Sequence, residues 1–275
     1  MRQSLSTTYR DNKTIGLVPT MGFLHKGHLS LIERAKKEND LVVVSIFVNP
    51  TQFGPTEDFE TYPRDFLSDT SLAYKAGADI IFNPSVCEMY PKESATWVNV
   101  EGDITSVLCG ASRPTHFKGV TTVVNMLLNI VEPNKAYFGQ KDAQQAAVLT
   151  KMVRDLHMNV ELVICPIIRE SDGVALSSRN TYLSNEERKQ AVILNESLQL
   201  ALQTYKEGEL DVETLTQLVR NKITTMPLAK IDYVSIFSYP TLTQINKIMD
   251  RAIIAVAVKF GKTRLIDNVI LEKRK

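Results

Sequence analysis

Half of the chain's four histidines sit in one tetrapeptide, His25-Lys26-Gly27-His28, which follows the apolar run Ile15-Gly16-Leu17-Val18 and the turn Pro19-Thr20-Met21-Gly22. A strand that breaks at glycines and reopens as a helix leaves the first backbone N–H groups of that helix without partners, so the turn is expected to attract an anion. Residues three apart share one side of a first helical turn, which places both imidazoles near whatever those N–H groups hold. Phosphate chemistry is the expectation. Glycines at 22 and 27 would let a ligand or a neighbouring helix come close to the backbone. The competing reading is a plain strand-to-helix turn carrying two surface histidines.

Other segments carry groups of the same kind. In Tyr137-Phe138-Gly139-Gln140-Lys141-Asp142-Ala143-Gln144-Gln145, Lys141 offers a point charge for phosphate and Asp142 can accept hydrogen bonds from ribose hydroxyls. Gln145, one turn on, points the same way with both a donor and an acceptor. The plainer alternative is an Asp N-cap with solvated neighbours. Leu176-Ser177-Ser178-Arg179-Asn180 puts two hydroxyls and a guanidinium in a polar loop, which suits phosphate oxygens, although loops of this composition are common. Gln52, in Asn49-Pro50-Thr51-Gln52-Phe53-Gly54, could read a hydroxyl or carboxylate of a small substrate, while Pro50 and Gly54 equally suit a plain loop. Arg113-Pro114-Thr115-His116-Phe117 could add positive charge but reads first as a surface turn before a helix. His157, beside Met158 at a predicted helix C-terminus, complements the helix dipole and is given no function.

The elements that must position these groups follow from hydrophobic patterning. Residues 15–18, 41–48, 79–82, 135–138 and 160–164 are apolar, β-branched runs, and their continuity predicts strands buried on both faces. Helical spacing runs over 29–37, 65–76, 120–131 and 142–156. Strand-helix alternation predicts a Rossmann-like, doubly wound parallel sheet of the α/β class, with ligands at the carboxyl ends of its strands. After Arg169 the pattern changes to two helical stretches, 186–205 and 212–225, then three β-rich runs, 231–238, 252–260 and 263–270, the last two joined by Gly261-Lys262. That predicts a smaller C-terminal α+β domain with an antiparallel sheet. The division expected is 1–168 and 169–275.

Composition narrows the partners. With 44% hydrophobic and 23% charged residues and a formal net charge of +1, nothing points to nucleic acid, a membrane surface or disorder, and the expected partner is small. Cys87, Cys109 and Cys165 are odd in number and far apart, which argues against a disulfide framework or a zinc site and for a reducing cytoplasm. Met1-Arg2-Gln3-Ser4-Leu5-Ser6 lacks the apolar core of a signal peptide. No window approaches the roughly 18 apolar residues of a membrane span.

In order, from about Ile15 to Asn180, these segments resemble the pantoate–β-alanine ligase (pantothenate synthetase) family of the class I aminoacyl-tRNA-synthetase-like nucleotidyltransferases. Residues 19–28 look like the family's PTMG-x-L-H-x-G-H signature. In register with it stand Ser45-Ile46-Phe47-Val48-Asn49-Pro50 with Gln52-Phe53, Tyr62-Pro63-Arg64, Arg113-Pro114-x-His116-Phe117, Phe138-Gly139-x-Lys141-Asp142 with Gln144-Gln145, and Ser177-Ser178-Arg179-Asn180.

The resemblance implies two steps: pantoate and MgATP give pantoyl adenylate and pyrophosphate, then β-alanine attacks the mixed anhydride to release pantothenate and AMP. It implies that Met21 to His28 line the ATP site, with Gly22 in the turn and His25 and His28 stabilising the pentavalent phosphorus and the leaving pyrophosphate, His28 as nominal proton donor. Lys141 would hold phosphate, Gly139 and Asp142 the ribose, and Ile168 the adenine through its backbone. Ser177, Ser178 and Arg179, with Leu176 before them, would clasp the β- and γ-phosphates; Gln52, Gln145 and Met21 would surround pantoate. Mg²⁺ would be held largely by the phosphates, and a homodimer is implied. Leu176 stands where many members have Met, a volume-conserving change. Thr115 stands where many have Gly, and a backbone angle open to Gly would strain a β-branched residue, which bears on the role of His116. Two rivals are a nucleotidyltransferase acting on another acid or on a phosphorylated substrate, and a non-catalytic nucleotide sensor. The neutral amides of Gln52 and Gln145 argue against the first and the full set of phosphate-binding side chains against the second.

Overall fold

The computed structural model describes residues 1–3, 5, 6, 11–55 and 57–272; Ser4, in the N-terminal stretch read for a leader, lies outside them. Five parallel strands form the larger sheet: β1 (Ile15–Thr20), β2 (Leu41–Ile46), β3 (Ile80–Phe82), β4 (Lys135–Gly139) and β5 (Glu161–Cys165). Their spatial order is β3-β2-β1-β4-β5, with Leu17 opposite both Val43 and Ala136. Parallel neighbours need crossovers, and helices supply them: α1 (Lys26–Glu38), α2 (Phe66–Ala76), α3 (His116–Val131) and α4 (Ala143–Asp155). Alternation along each strand sorts the core into two layers. Leu17, Val43, Ala136 and Phe138 pack against Val124, Leu127 and Leu128 of α3 and Leu149 and Met152 of α4. Val18, Val42, Val44 and Tyr137 pack against Ile32 and Ala35 of α1 and Ala73 of α2. Burial on both faces is why these runs are apolar without interruption.

The chain lays down β1, β2 and β3 outward to one side and β4 and β5 to the other, so the order reverses between β1 and β4. A crevice opens at the carboxyl ends of strands flanking such a reversal. Two of the predicted chemical segments, the one after Thr20 and the one after Gly139, emerge there.

Several boundaries differ from the sequence reading. Strand β2 stops at Ile46, two residues before the run ends, because Asn49 caps a 3₁₀ turn at Pro50–Gln52. Helix α3 starts at His116, four residues before the apolar spacing becomes regular, and α1 at Lys26. The stretch expected as one helix over 186–205 is two, α5 (Asn185–Gln190) and α6 (Ile193–Glu207). Between them the Leu194 N–H bonds Ala191 O, a tighter three-residue step that interrupts the α ladder.

The remainder is α7 (Val212–Ile223) and the antiparallel strands β6 (Ala229–Ser238), β7 (Ala252–Phe260) and β8 (Thr263–Leu271), in the order β6-β7-β8. Helices α6 and α7 cover one face, where Leu198, Leu215 and Val219 meet Ile254, Val256 and Val258. The other face of β7 turns Ile253 and Ala255 toward Leu108, Phe117, Ala143 and Val148, so the two sheets are joined through a shared apolar layer. Among the described residues, no helix is long and apolar enough to cross a membrane.

Candidate active site

The turn after β1 is built differently from the anion cradle its sequence suggests. The Phe23 and Leu24 N–H groups donate to the two carboxylate oxygens of Asp69, at 2.8 and 2.6 Å, and the Gly22 N–H to Thr20 Oγ1. These amides are therefore occupied by the protein. Asp69 is 2% exposed and lies on the α2 stripe that also buries Ala73, four residues on; an acid on that otherwise small and apolar stripe was the signal for its role. Gly22, at φ +84°, does not line the cavity: a Cβ there would meet Asp69 Oδ2 at 2.9 Å. At Gly27 the added carbon would meet the His25 ring. Both glycines thus make room for protein groups.

The two imidazoles cap α1 reciprocally. Gly27 N–H donates to His25 Nδ1 (3.1 Å) and His25 N–H to His28 Nδ1 (3.3 Å), a capping box made of two rings whose centroids lie 4.0 Å apart. Both Nδ1 atoms accept, so the ring hydrogens sit on Nε2. Burial, then the Lys141 ammonium, lower the His25 pKa to about 4; burial, then His25 and Lys141, lower that of His28 to about 3. At neutral pH both rings are uncharged N–H donors.

After β4 a 3₁₀ turn, Gln140–Asp142, presents Lys141 and Asp142, whose charged groups are 3.9 Å apart. Its carbonyls are held from the other sheet: Asn268 Nδ2, on β8, donates to both Gln140 O and Lys141 O at 3.0 Å. Nothing local in the sequence pairs residue 268 with this turn.

Residues 168–176 double back on themselves. Leu176 N–H donates to Ile168 O, Glu170 N–H to Val174 O, and Gly173, at φ +95°, makes the turn. Arg169 ties this hairpin to β8 through two bonds to the Asp267 carboxylate, 2.6 and 2.9 Å. The hairpin carries Ser177, Ser178 and Arg179 across to the first sheet. Ser178 Oγ donates to Phe23 O, and Arg179 forks onto Asp58 with two bonds of 2.9 Å while lying over the Tyr62 ring. Burial alone would raise the Asp58 carboxyl, but the bonded Arg179 more than offsets it and holds it below its ordinary value.

Arg113 and His116 are corrections to the surface-turn reading. Arg113 pairs bidentately with Glu57 at 2.5 and 2.6 Å, and both Arg113 Nη2 and His116 Nδ1 donate to Gln52 O. His116 Nε2 then accepts from Arg113 Nη1, and burial followed by the Arg113 charge lowers its pKa to about 4, so it too is neutral. Thr115 sits at φ −96°, ψ −8°, ordinary right-handed backbone, so the strain expected of Thr in place of Gly is absent.

These pieces enclose one cavity of about 240 Å³. Met21, His25, His28, Gln52, Gly139, Lys141, Asp142, Gln145, Ile168, Leu176, Ser177, Ser178 and Arg179 all line it; of the residues singled out from the sequence as site residues, Gly22 alone does not. Arg113, His116, Asn49 and Tyr62 line it as well. With Arg113 held on Glu57, His116 on Gln52 O, Asn49 on Gln52 and Gly119, and the Ser178 hydroxyl on Phe23 O, the arrangement offers Lys141 and Arg179 as charged donors, the neutral rings of His25 and His28, and the amides of Gln52 and Gln145. It can orient and neutralise a polyphosphate beside a small polar molecule.

A family model described as pantoate-beta-alanine ligase matches residues 1–270. The pantothenate synthetase of Acetivibrio thermocellus is 60% identical over 260 residues, 94% of this chain and 92% of that protein. That of Pseudothermotoga lettingae is 55% identical over 95% of this chain and 93% of its own. The crystal structure of the Thermus thermophilus pantothenate synthetase superposes with a TM-score of 0.91 at 47% identity, covering 93% of this chain and 92% of that one. The Francisella tularensis pantoate-beta-alanine ligase, crystallised with beta-gamma ATP and beta-alanine, superposes with a TM-score of 0.79 at 37% identity, covering 97% of this chain and 93% of that one. The chain belongs to the pantoate–β-alanine ligase family.

Proposed function

We propose, for this member of that family, that the cavity between β1, β4 and the 168–179 hairpin is where ATP and pantoate meet. The chain is an ATP-dependent ligase that joins pantoate to β-alanine to form pantothenate. In the first step a pantoate carboxylate oxygen bonds to the α-phosphorus and the bond to pyrophosphate breaks. In the second the β-alanine nitrogen attacks the acyl carbon, loses a proton, and AMP leaves. Neither step needs a covalent link to the protein, only in-line placement and neutralised charge.

Roles follow from chemistry. Lys141 and Arg179 supply the positive charge for the polyphosphate, Ser177 a flanking hydroxyl, with Ser178 pinning the hairpin beside it through its bond to Phe23 O, and Gly139 and Asp142 meet the ribose. Ile168 and Leu176 face the nucleotide across the cavity. His25 and His28, uncharged at neutral pH, donate Nε2–H bonds to phosphate oxygens; they act as dipoles, so the cationic work falls on Lys141 and Arg179. Gln52 and Gln145, beside Met21, suit the hydroxyls and carboxylate of pantoate, and β-alanine follows beside Gln52. Mg²⁺ would travel with the phosphates and neutralise them; it needs few protein carboxylates, and Asp142 lines the same cavity. Residues 169–275 are read as the domain that closes over the site. A homodimer in the cytoplasm completes the proposal.

The observation that carries the reading is that HxGH, Lys141 and Ser177 to Arg179, from three separate stretches of chain, converge on one cavity with two glutamines. Pantoate-dependent exchange of pyrophosphate into ATP, without β-alanine, tests it. Exchange is expected; its absence at saturating pantoate and Mg²⁺ would sink the adenylate route. Sedimentation tests the dimer.

A further inference from the structure

Asn49, 1% exposed and capping the 3₁₀ turn that follows β2, has partners on every side of its amide. Two backbone groups decide which way it faces. Gly119 O, which can only accept, lies 3.2 Å from Nδ2, and the Thr51 N–H, which can only donate, lies 3.4 Å from Oδ1. With the nitrogen so placed, its other hydrogen goes to Gln52 Oε1 at 3.0 Å. That turns the Gln52 oxygen back toward Asn49, and puts Gln52 Nε2 at the other end of the amide, 3.4 Å from Met21 Sδ, which lines the cavity.

On the far side of Asn49, Tyr90 Oη lies 2.9 Å and Thr51 Oγ1 3.0 Å from Oδ1, and the two hydroxyls are 3.1 Å apart. The Tyr90 ring is fixed between Phe47, 6.4 Å away, and Trp97, on which it stacks at 6.2 Å. Burial raises its phenol pKa above the ordinary value, so the hydroxyl keeps its proton at neutral pH. Tyr90 does not itself line the cavity. Helix α3 seats directly on the 3₁₀ turn: a Cβ on Gly119 would strike Thr51 O and come within 2.7 Å of Gln52 N. The hydrogen-bond chain therefore has one direction, phenol to Asn49 to Gln52 to ligand, and each donor polarises the next.

We propose that Tyr90 is a positioning residue for the acid-binding side of the cavity: through Asn49 it holds Gln52 in the flip that turns its N–H groups toward the acid, so that this position presents a donor to a substrate oxygen. The inference deepens the function proposed above and rests on it.

The test is steady-state kinetics of the full chain and of Tyr90→Phe, Gln52→Ala and the double variant, with pantoate and ATP varied separately and folding checked by melting. Tyr90→Phe keeps the ring and its stacking and removes one hydrogen bond. It is expected to raise the KM for pantoate about 5-fold to 10-fold while that for ATP stays within about twofold. In the Gln52→Ala background the same change should have no further effect on pantoate, since the relay then ends on nothing. An unchanged pantoate KM, an equal shift for ATP, or effects that simply add in the double variant would overturn the relay alone. A wild-type chain that neither turns over nor binds pantoate overturns the relay and the function together.

Discussion

The two sides of the cavity reach the same task by different physics. The turn after β1 is internal and has no ion pair: its amides end on the buried Asp69 carboxylate, and its two uncharged imidazoles cap each other's backbone. The Ser177 to Arg179 side is ionic and half-buried, held by Arg179 on Asp58 and by Arg169 on Asp267. One side is fixed by hydrogen bonds from the backbone amides of a single turn, the other by ion pairs that reach across to distant elements, Arg169 to the buried Asp267 and Arg179 to the half-buried Asp58. The difference separates rigidity from affinity: the first should fail by unfolding or by lost turnover, the second by weaker nucleotide binding.

The largest effect expected tests whether the histidine turn and the lysine turn beside it act on the reaction at all. His28→Ala and Lys141→Ala should each lower kcat about 10²-fold or more, the scale for removing a donor that faces developing charge; near-normal turnover in both would place the chemistry elsewhere. Asp69→Ala should then cost about 2–4 kcal/mol of folding stability in denaturant melts, because two buried N–H groups lose their acceptor. Arg179→Lys, by contrast, keeps the charge and loses the fork and the stacking on Tyr62, so stability should change by about 1 kcal/mol while the KM for ATP rises. Equal stability losses in those two variants would erase the contrast.

Acidification sharpens it further. His25, His28 and His116 have folded pKa values of about 4, 3 and 4 against 6.5 for the exposed ring. The unfolded chain therefore takes up protons first, and stability that is whole above pH 6.5 falls as pH drops toward 4. Melting temperatures between pH 7 and 4.5 should decline before Asp58 and Glu57, whose carboxyls are held below their ordinary values, begin to titrate. A flat profile over that window would mean that the rings are solvated. The smallest effect is Thr115→Gly, which should destabilise by no more than about 1 kcal/mol, since the position has ordinary right-handed backbone and gains nothing from glycine.

Much of this was legible in the sequence because it is local. Strand-helix alternation gives the doubly wound sheet, and the groups following β1 and β4 had to meet once the strand order placed those neighbours on either side of a reversal. What stayed hidden is what depends on distant partners. Asp69 lies 45 residues or more from the amides it holds, and Asn268 more than 120 from its carbonyls. The start of α3 at His116 was missed because Thr115 makes no side-chain cap, so no N-terminal signal precedes the helix. Without that turn of helix, Arg113 and His116 read as surface residues rather than as the pair that grips the Gln52 backbone.

Asn268 has one more consequence. It belongs to β8, the strand that follows every other element in chain order, yet it holds the loop that presents Lys141. During synthesis the first sheet can form its contacts early, but its lysine turn has no anchor until the closing hairpin of the second sheet has emerged and paired. A fragment ending before residue 263, whether nascent or clipped, should therefore fold in part and still be inert, so that activity reports a finished molecule.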